Sequence, residues 1–154
     1  MNATALVSTV LGIGYFPKAQ GTIMSAVAMP FAYFLAKWGG PELLAGAAMI
    51  TLVIGTFSCE AYVRQTGKED PSECVIDELA GQWLTCAFVA SSPLSLPAFA
   101  SAFILFRIFD IWKPWPVSWA DNSLPGGFGV MMDDILAGVM AGILALALHH
   151  YQWL

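Results

Sequence analysis

Charge is what this sequence has least of. Only 11% of its 154 residues are charged, where a soluble domain carries roughly a quarter. Hydrophobic residues make up 58%, and the mean hydropathy is +0.69. An ordinary soluble domain is therefore excluded, and the composition is that of a membrane protein. Cysteine is scarce too: Cys59, Cys74 and Cys86 are odd in number and show no CxxC spacing. That pattern argues against zinc or redox work and reads as small buried apolar residues. The amino terminus lacks the basic start and the small-residue cleavage site of a secretory signal, so it is expected to belong to the mature protein. Linkers, low-complexity tracts and internal repeats are also missing, which leaves a single domain over residues 1–154.

Several apolar runs separated by short polar loops are present. In lipid such runs satisfy their backbone groups as helices, so the expected fold is an all-α polytopic bundle of about five crossings. The runs begin at Ile23, Pro41, Pro71, Pro97 and Asp134. Val7 to Phe16 is too short to span and reads as an interfacial or re-entrant helix. In the DPSE segment, Asp70 is placed to cap a helix with Pro71 at its first position and Glu73 at its third. Glu60 reads as an interfacial or cap-level acid. Gly138 and Gly142 form a GxxxG pattern suited to close helix approach, within the bundle or in a homo-oligomer. His149 and His150 read as interfacial residues.

The few charges are concentrated. Between Phe103 and Ala137, Arg107, Asp110, Lys113, Asp121, Asp133 and Asp134 stand among strongly apolar residues. Charge there is costly unless paired, wetted or bound to a metal. Arg107, Asp110 and Lys113 follow at intervals of three, so one helix delivers both signs of charge to its own end before Pro114 stops it. Asp77 and Glu78 are adjacent in the IDELAGQW run and point about 100° apart on a helix, so one polar neighbour cannot satisfy both. Asp133 and Asp134 have a competing structural reading, with Asp134 as N-cap and Asp133 beside a helix amino end. Earlier in the chain, Lys18, the Thr22 hydroxyl and free backbone N–H groups would make an anion seat; Thr22 or Ser25 would alternatively serve only as a helix cap.

Five crossings put Lys18, Arg64, Lys68, Arg107 and Lys113 on one side and Lys37 alone on the other, so the first side should face the cytoplasm. Every acid except Glu42 falls on that side as well. Crowded carboxylates repel one another, and oxygen-rich sites of this kind hold magnesium or calcium. With bases close by, the expectation is metal-assisted chemistry on a phosphorylated, lipidic substrate at the inner leaflet. A small cation carrier or channel is the competing class. A structural subunit would pair its charges one to one, against the excess of eleven acids over six bases. No nucleic-acid partner is expected.

The runs FRIFDIWKPWPVSWAD, GGFGVMMDDILAGVMA and IDELAGQW, with the early FPKAQGT, resemble phosphatidylglycerophosphatase A of bacterial inner membranes, from about Gly12 to the carboxyl end. The resemblance implies a multi-pass, magnesium-dependent phosphomonoesterase that converts phosphatidylglycerophosphate to phosphatidylglycerol and phosphate in acidic phospholipid synthesis. On that reading Asp77, Glu78, Asp133 and Asp134 are metal ligands. Lys18, Thr22, Arg107 and Lys113 meet the phosphate. Asp110 is a base, a nucleophile or the partner that orients Arg107. The chain departs from the family pattern at Gln20, Met24 and Asn122.

Overall fold

The computed structural model describes residues 2–91 and 93–151. They form six α-helices and no strand: α1 Ala3–Ser8, α2 Gln20–Thr66, α3 Ile76–Phe88, α4 Leu96–Trp112, α5 Val117–Ser123 and α6 Gly126–His150. A single 3-10 turn, Ile13–Tyr15, follows α1. This matches the all-helical expectation and the short amino-terminal helix. Two helices, α2 and α6, are long and apolar enough to cross a membrane. By contrast α3, with 13 residues, rises only about 20 Å, and α4, with 17, about 26 Å.

Two expected runs, from Ile23 and from Pro41, are the limbs of α2, which breaks at Gly40 (φ 68°, ψ −167°). A straight helix of that length would measure about 70 Å. Instead the Tyr15 and Tyr62 hydroxyls, flanking its two ends, come within 3.5 Å of each other. The chain therefore doubles back at Gly40, a backbone geometry that L side chains avoid. Pro30 lies within the first limb without ending it; only Gly40 does so.

Three sequence expectations move. The helix predicted from Pro71 begins at Ile76, because Pro71 to Cys74 closes a turn (Cys74 N–H to Pro71 O, 2.9 Å) and the Val75 N–H donates to Ser8 O at 2.9 Å. Asp70 therefore caps no helix. Cys59 and Cys74, expected as unpaired apolar residues, form a disulfide that ties α2 to this turn, with Cα atoms 6.5 Å apart; Cys86 is free and buried, as expected. The helix expected to start at Asp134 starts two turns earlier, at Gly126. There the Glu60 carboxylate of α2 accepts from the Gly127 N–H at 2.8 Å and so caps α6 from a neighbouring helix. A side chain on Gly127 would collide with the α2 backbone at Glu60 and Thr56, which is why glycine stands at this helix start.

Helix α3 packs between α2 and α6. At its crossing with α6 a Cβ on Gly81 would lie 2.7 Å from Asp134 O, and one on Gly138 would lie 2.7 Å from Gly81 O. The Thr85 hydroxyl spans the same crossing, 2.8 Å from Gly81 O and 3.2 Å from Gly138 O. Gly142 lies against Phe88. The GxxxG pattern thus serves packing inside the bundle. At the end away from the charges, Ala32, Ala36, Leu44, Val89, Ala98 and Ala145 join an apolar core of small side chains.

Candidate active site

The glycine crossing sets the site. Asp77 stands one turn before Gly81, and Asp134 one turn before Gly138, so the close approach of α3 and α6 brings their carboxylates together. The two segments even read alike, DELAG at 77–81 and DILAG at 134–138, a short internal match that the sequence reading did not register. Carboxylate oxygens of Asp77, Glu78 and Asp134 lie within 4.8 Å of one another. Asp134 is 3% exposed and Asp77 9%. Asp77 and Glu78 occupy the first turn of α3, where solvated acids are ordinary, yet Asp77 is buried and Glu78 half-buried. Asp133 and Asp134 lie two turns inside α6, so the capping explanation does not apply to them.

Neutralisation is uneven. The Lys113 ammonium reaches Asp121 at 2.5 Å and Asp133 at 2.9 Å. It sits just past α4 in a left-handed conformation (φ 49°, ψ 56°) and lines the cleft. Burial alone would lower the pKa of this ammonium. Hydrogen bonds and charge from Asp121 and Asp133 override that and hold it well above the ordinary lysine value. Arg107 pairs with Asp110 at 2.6 Å and also points a guanidinium N–H at the buried Ser25 hydroxyl, 3.5 Å away. Of the roles open to Asp110, orienting Arg107 is the contact present. Among the described residues, no base lies within ion-pair distance of Asp77, Glu78 or Asp134. Glu78 Oε2 and Asp134 Oδ2 are buried without any hydrogen-bond partner. Three close carboxylates with two orphaned oxygens are a donor set suited to a hard divalent cation.

The amino end of α2 closes the other wall. Gly21 abuts Glu78 so tightly that a Cβ there would meet its Oε1 at 2.1 Å and the Arg107 guanidinium at 3.3 Å. Thr22, Arg107, Asp110, Lys113 and the four acids Asp77, Glu78, Asp133 and Asp134 all line one cleft of about 280 Å³. The first N–H groups of α2 have no helical acceptor and carry the positive end of its dipole at this wall. Lys18 is exposed in the bend before α2 and is not part of the cleft lining. Neither Thr22 nor Ser25 caps α2: Ala19 holds the cap position without a side-chain hydrogen bond. Sequence reasoning missed Ser25 as a neighbour of Arg107, and it left Asp121 out of the site although Asp121 shares Lys113. Their chain separations hid both contacts.

Fold and site together define an all-helical protein with membrane-length apolar helices and one polar cleft, in which buried acids face two anchored bases. The Phosphatidylglycerophosphatase A family model matches residues 6–149, and the chain belongs to that family, a family of phosphatases. It is 36% identical over 153 residues to phosphatidylglycerophosphatase A of Escherichia coli, covering 97% of this chain and 86% of that one. It is 30% identical over 152 residues to phosphatidylglycerophosphatase A of Haemophilus influenzae, covering 99% and 92%. A putative phosphatidylinositol-3-phosphatase of Bacteroides thetaiotaomicron is 34% identical over 142 residues, covering 90% and 89%. No solved structure matches the chain at a significant level.

Proposed function

We propose that this protein hydrolyses the terminal phosphomonoester of phosphatidylglycerophosphate, giving phosphatidylglycerol and inorganic phosphate, with magnesium as its cofactor. The observation that carries the reading is the pairing, in one cleft, of three close carboxylates that form no ion pair among the described residues with two bases, Arg107 and Lys113, held at its rim. Two relatives named for this activity, each matched over nearly the whole chain, support the substrate.

Asp77, Glu78 and Asp134 would hold the ion, with Asp133 at the edge of the set under the grip of Lys113. Magnesium bound there would supply Lewis-acid neutralisation of the phosphoryl charge. Arg107, kept in place by Asp110 and Ser25, binds phosphoryl oxygens and can grip two at once. Lys113 and the free N–H groups at the start of α2 add positive potential, and Thr22 adds a hydroxyl donor. A water oxygen then bonds to phosphorus as the bond to the lipid alcohol breaks. Asp110 would take the water's proton and pass it to the departing lipid alkoxide, or would attack phosphorus itself to give an aspartyl phosphate that water then cleaves. Positioning and charge neutralisation carry most of such a reaction.

The lipid keeps its acyl chains in the bilayer. The two limbs of α2, together with α3, α4 and α6, make the five crossings of a bacterial inner membrane protein, the shorter α3 and α4 being accommodated by local thinning. By the positive-inside rule, the excess of bases at the cleft end supports a site that faces the cytoplasm. The exposed Trp112, Trp115 and Trp119 around α5 suit headgroup depth.

The test is phosphate release from phosphatidylglycerophosphate in detergent by purified protein, with magnesium and then with excess chelator, beside Asp134→Asn. Magnesium-dependent release that the variant loses is expected. Folded protein that releases no phosphate with any divalent metal, but passes metal ions across vesicles, would replace this reading with the cation carrier.

A further inference from the structure

The Cys59–Cys74 disulfide joins α2 to the turn that leads into α3, with Cα atoms 6.5 Å apart. Both cysteines are buried in one apolar cluster with Ile76 and Ala80 of α3 and Val130, Met131 and Ile135 of α6. Ile76 directly precedes Asp77, and Ile135 directly follows Asp134. The disulfide therefore shares its core with the immediate chain neighbours of two of the close carboxylates, one on each helix.

Its two ends also bear on the two helices separately. Cys74 stands three residues before Asp77 and lines the cleft. On the α2 side, Cys59 is next to Glu60, whose carboxylate caps α6 by accepting from the Gly127 N–H at 2.8 Å. One short stretch of α2 thus fixes the start of α6 through a hydrogen bond and the approach to α3 through a covalent bond. The Cys74 and Val75 N–H groups donate to Pro71 O and Ser8 O, each at 2.9 Å. Those bonds tie the approach to its own turn and to α1, not to α2 or α6. Opening the disulfide removes the covalent tie between the lead-in to Asp77 and the helix that caps α6.

We propose that the Cys59–Cys74 disulfide is a positioning link for the metal site: closed, it holds Asp77 and Glu78 in register with Asp134, and its reduction loosens the grip on a divalent cation. The inference rests on the metal-dependent phosphatase reading and adds a control on that same site. A dithiol reductant supplies two electrons and two protons, the sulfur–sulfur bond becomes two thiols, and the reductant closes to its own disulfide. Attack falls on Cys74, which lines the cleft, and the fully buried Cys59 departs and is protonated. A disulfide oxidant runs the exchange backwards. On the proposed orientation the link faces the cytoplasm, where thiols are kept reduced, so its state follows the supply of oxidant.

The test uses the whole chain in detergent, oxidised or treated with dithiothreitol, with maleimide labelling to report whether Cys59 and Cys74 are thiols. Manganese(II) is the probe, and electron paramagnetic resonance reads its binding without turnover. Oxidised protein should bind it about tenfold more tightly than reduced protein, the lower end of what groups supporting a metal ligand contribute. Glutathione disulfide should restore the affinity. The double variant Cys59→Ala/Cys74→Ala should match reduced protein and ignore dithiothreitol. Equal affinities in the two states, with or without a lower thermal midpoint on reduction, would make the disulfide a structural tie and overturn the proposal. Labelling that needs denaturant would overturn it too, as would a redox response that survives in the double variant and so belongs to Cys86. Manganese binding that follows the disulfide, in protein that releases no phosphate from phosphatidylglycerophosphate, would overturn the phosphatase reading alone. Protein that binds no manganese in either state would overturn the metal assignment, and the link with it.

Discussion

Asp77–Glu78 and Asp133–Asp134 are the same device on two helices, with different surroundings. In each pair the first carboxylate accepts from the next residue's own N–H, at 3.0 Å in α3 and 2.9 Å in α6. Each pair precedes a glycine at which the two helices touch. Their charge balance separates them. Lys113 reaches Asp133 and no other member of the two pairs, so three carboxylates are left without an ion pair and the fourth anchors a base. Adjacent acids that look equivalent in sequence therefore divide into three without an ion pair and one tethered to a base.

The largest effect should come from the three that form no ion pair. Asp134→Asn and Glu78→Gln should each lower kcat by about 10³-fold or more, the scale of several kcal/mol of transition-state charge stabilisation. Phosphate release at saturating magnesium, with folding checked by gel filtration in detergent, reads this directly. Effects of only a few-fold in both would dissolve the distinction between the pairs.

Next comes the contact that brings the pairs together. Gly81→Ala puts a methyl 2.7 Å from Asp134 O and against the Phe106 ring, so α3 and α6 must part. Overpacking of this kind costs about 1–3 kcal/mol. The thermal midpoint should fall, and magnesium affinity should fall with it by roughly tenfold, because Asp77 and Glu78 move relative to Asp134. A lower midpoint with unchanged magnesium affinity would show that the crossing supports the fold without setting the site.

Asp133→Asn should cost less than Asp134→Asn, about 10- to 100-fold in kcat/KM, since Lys113 loses one of its two anchors while the three-carboxylate set stays. The requirement for magnesium should persist. If rate and magnesium dependence were both untouched, Asp133 would have no part in the site.

The helices and the charged stretch were legible because hydropathy and i, i+3 spacing are local signals. Arg107 with Asp110 followed from three-residue spacing and is an ion pair in the fold. Helix starts were less legible: Asp70–Pro71 has capping chemistry, but the turn at Pro71 and the Cys59–Cys74 link take that segment out of α3. The start of α6 was hidden because its cap, Glu60, lies 67 residues upstream of Gly127. Helix length was not legible either: the run expected from Pro71 folds as an α3 of only 13 residues. Gathering the four acids into one cleft depends on Gly81 meeting Gly138, a tertiary contact. The GxxxG pattern at Gly138 marked one side of that contact, and the matched DELAG and DILAG segments pointed to its partner.

The smallest effect separates the two anchors of Lys113. Its pair with Asp121 is about one-third exposed on both sides, whereas the Asp133 carboxylate is 9% exposed. Pairs near the surface are worth about 0.2–1 kcal/mol, so Asp121→Asn should lower kcat/KM by less than about fivefold. The remaining contact to Asp133 should keep the ammonium at the cleft. Added salt should reduce the difference between wild type and Asp121→Asn, because exposed pairs are screened, while leaving the Asp133→Asn loss largely intact. A larger loss for Asp121→Asn than for Asp133→Asn would reverse the roles. α5, rather than α6, would then hold the base in position, and Asp133 would rejoin the other three carboxylates as a ligand.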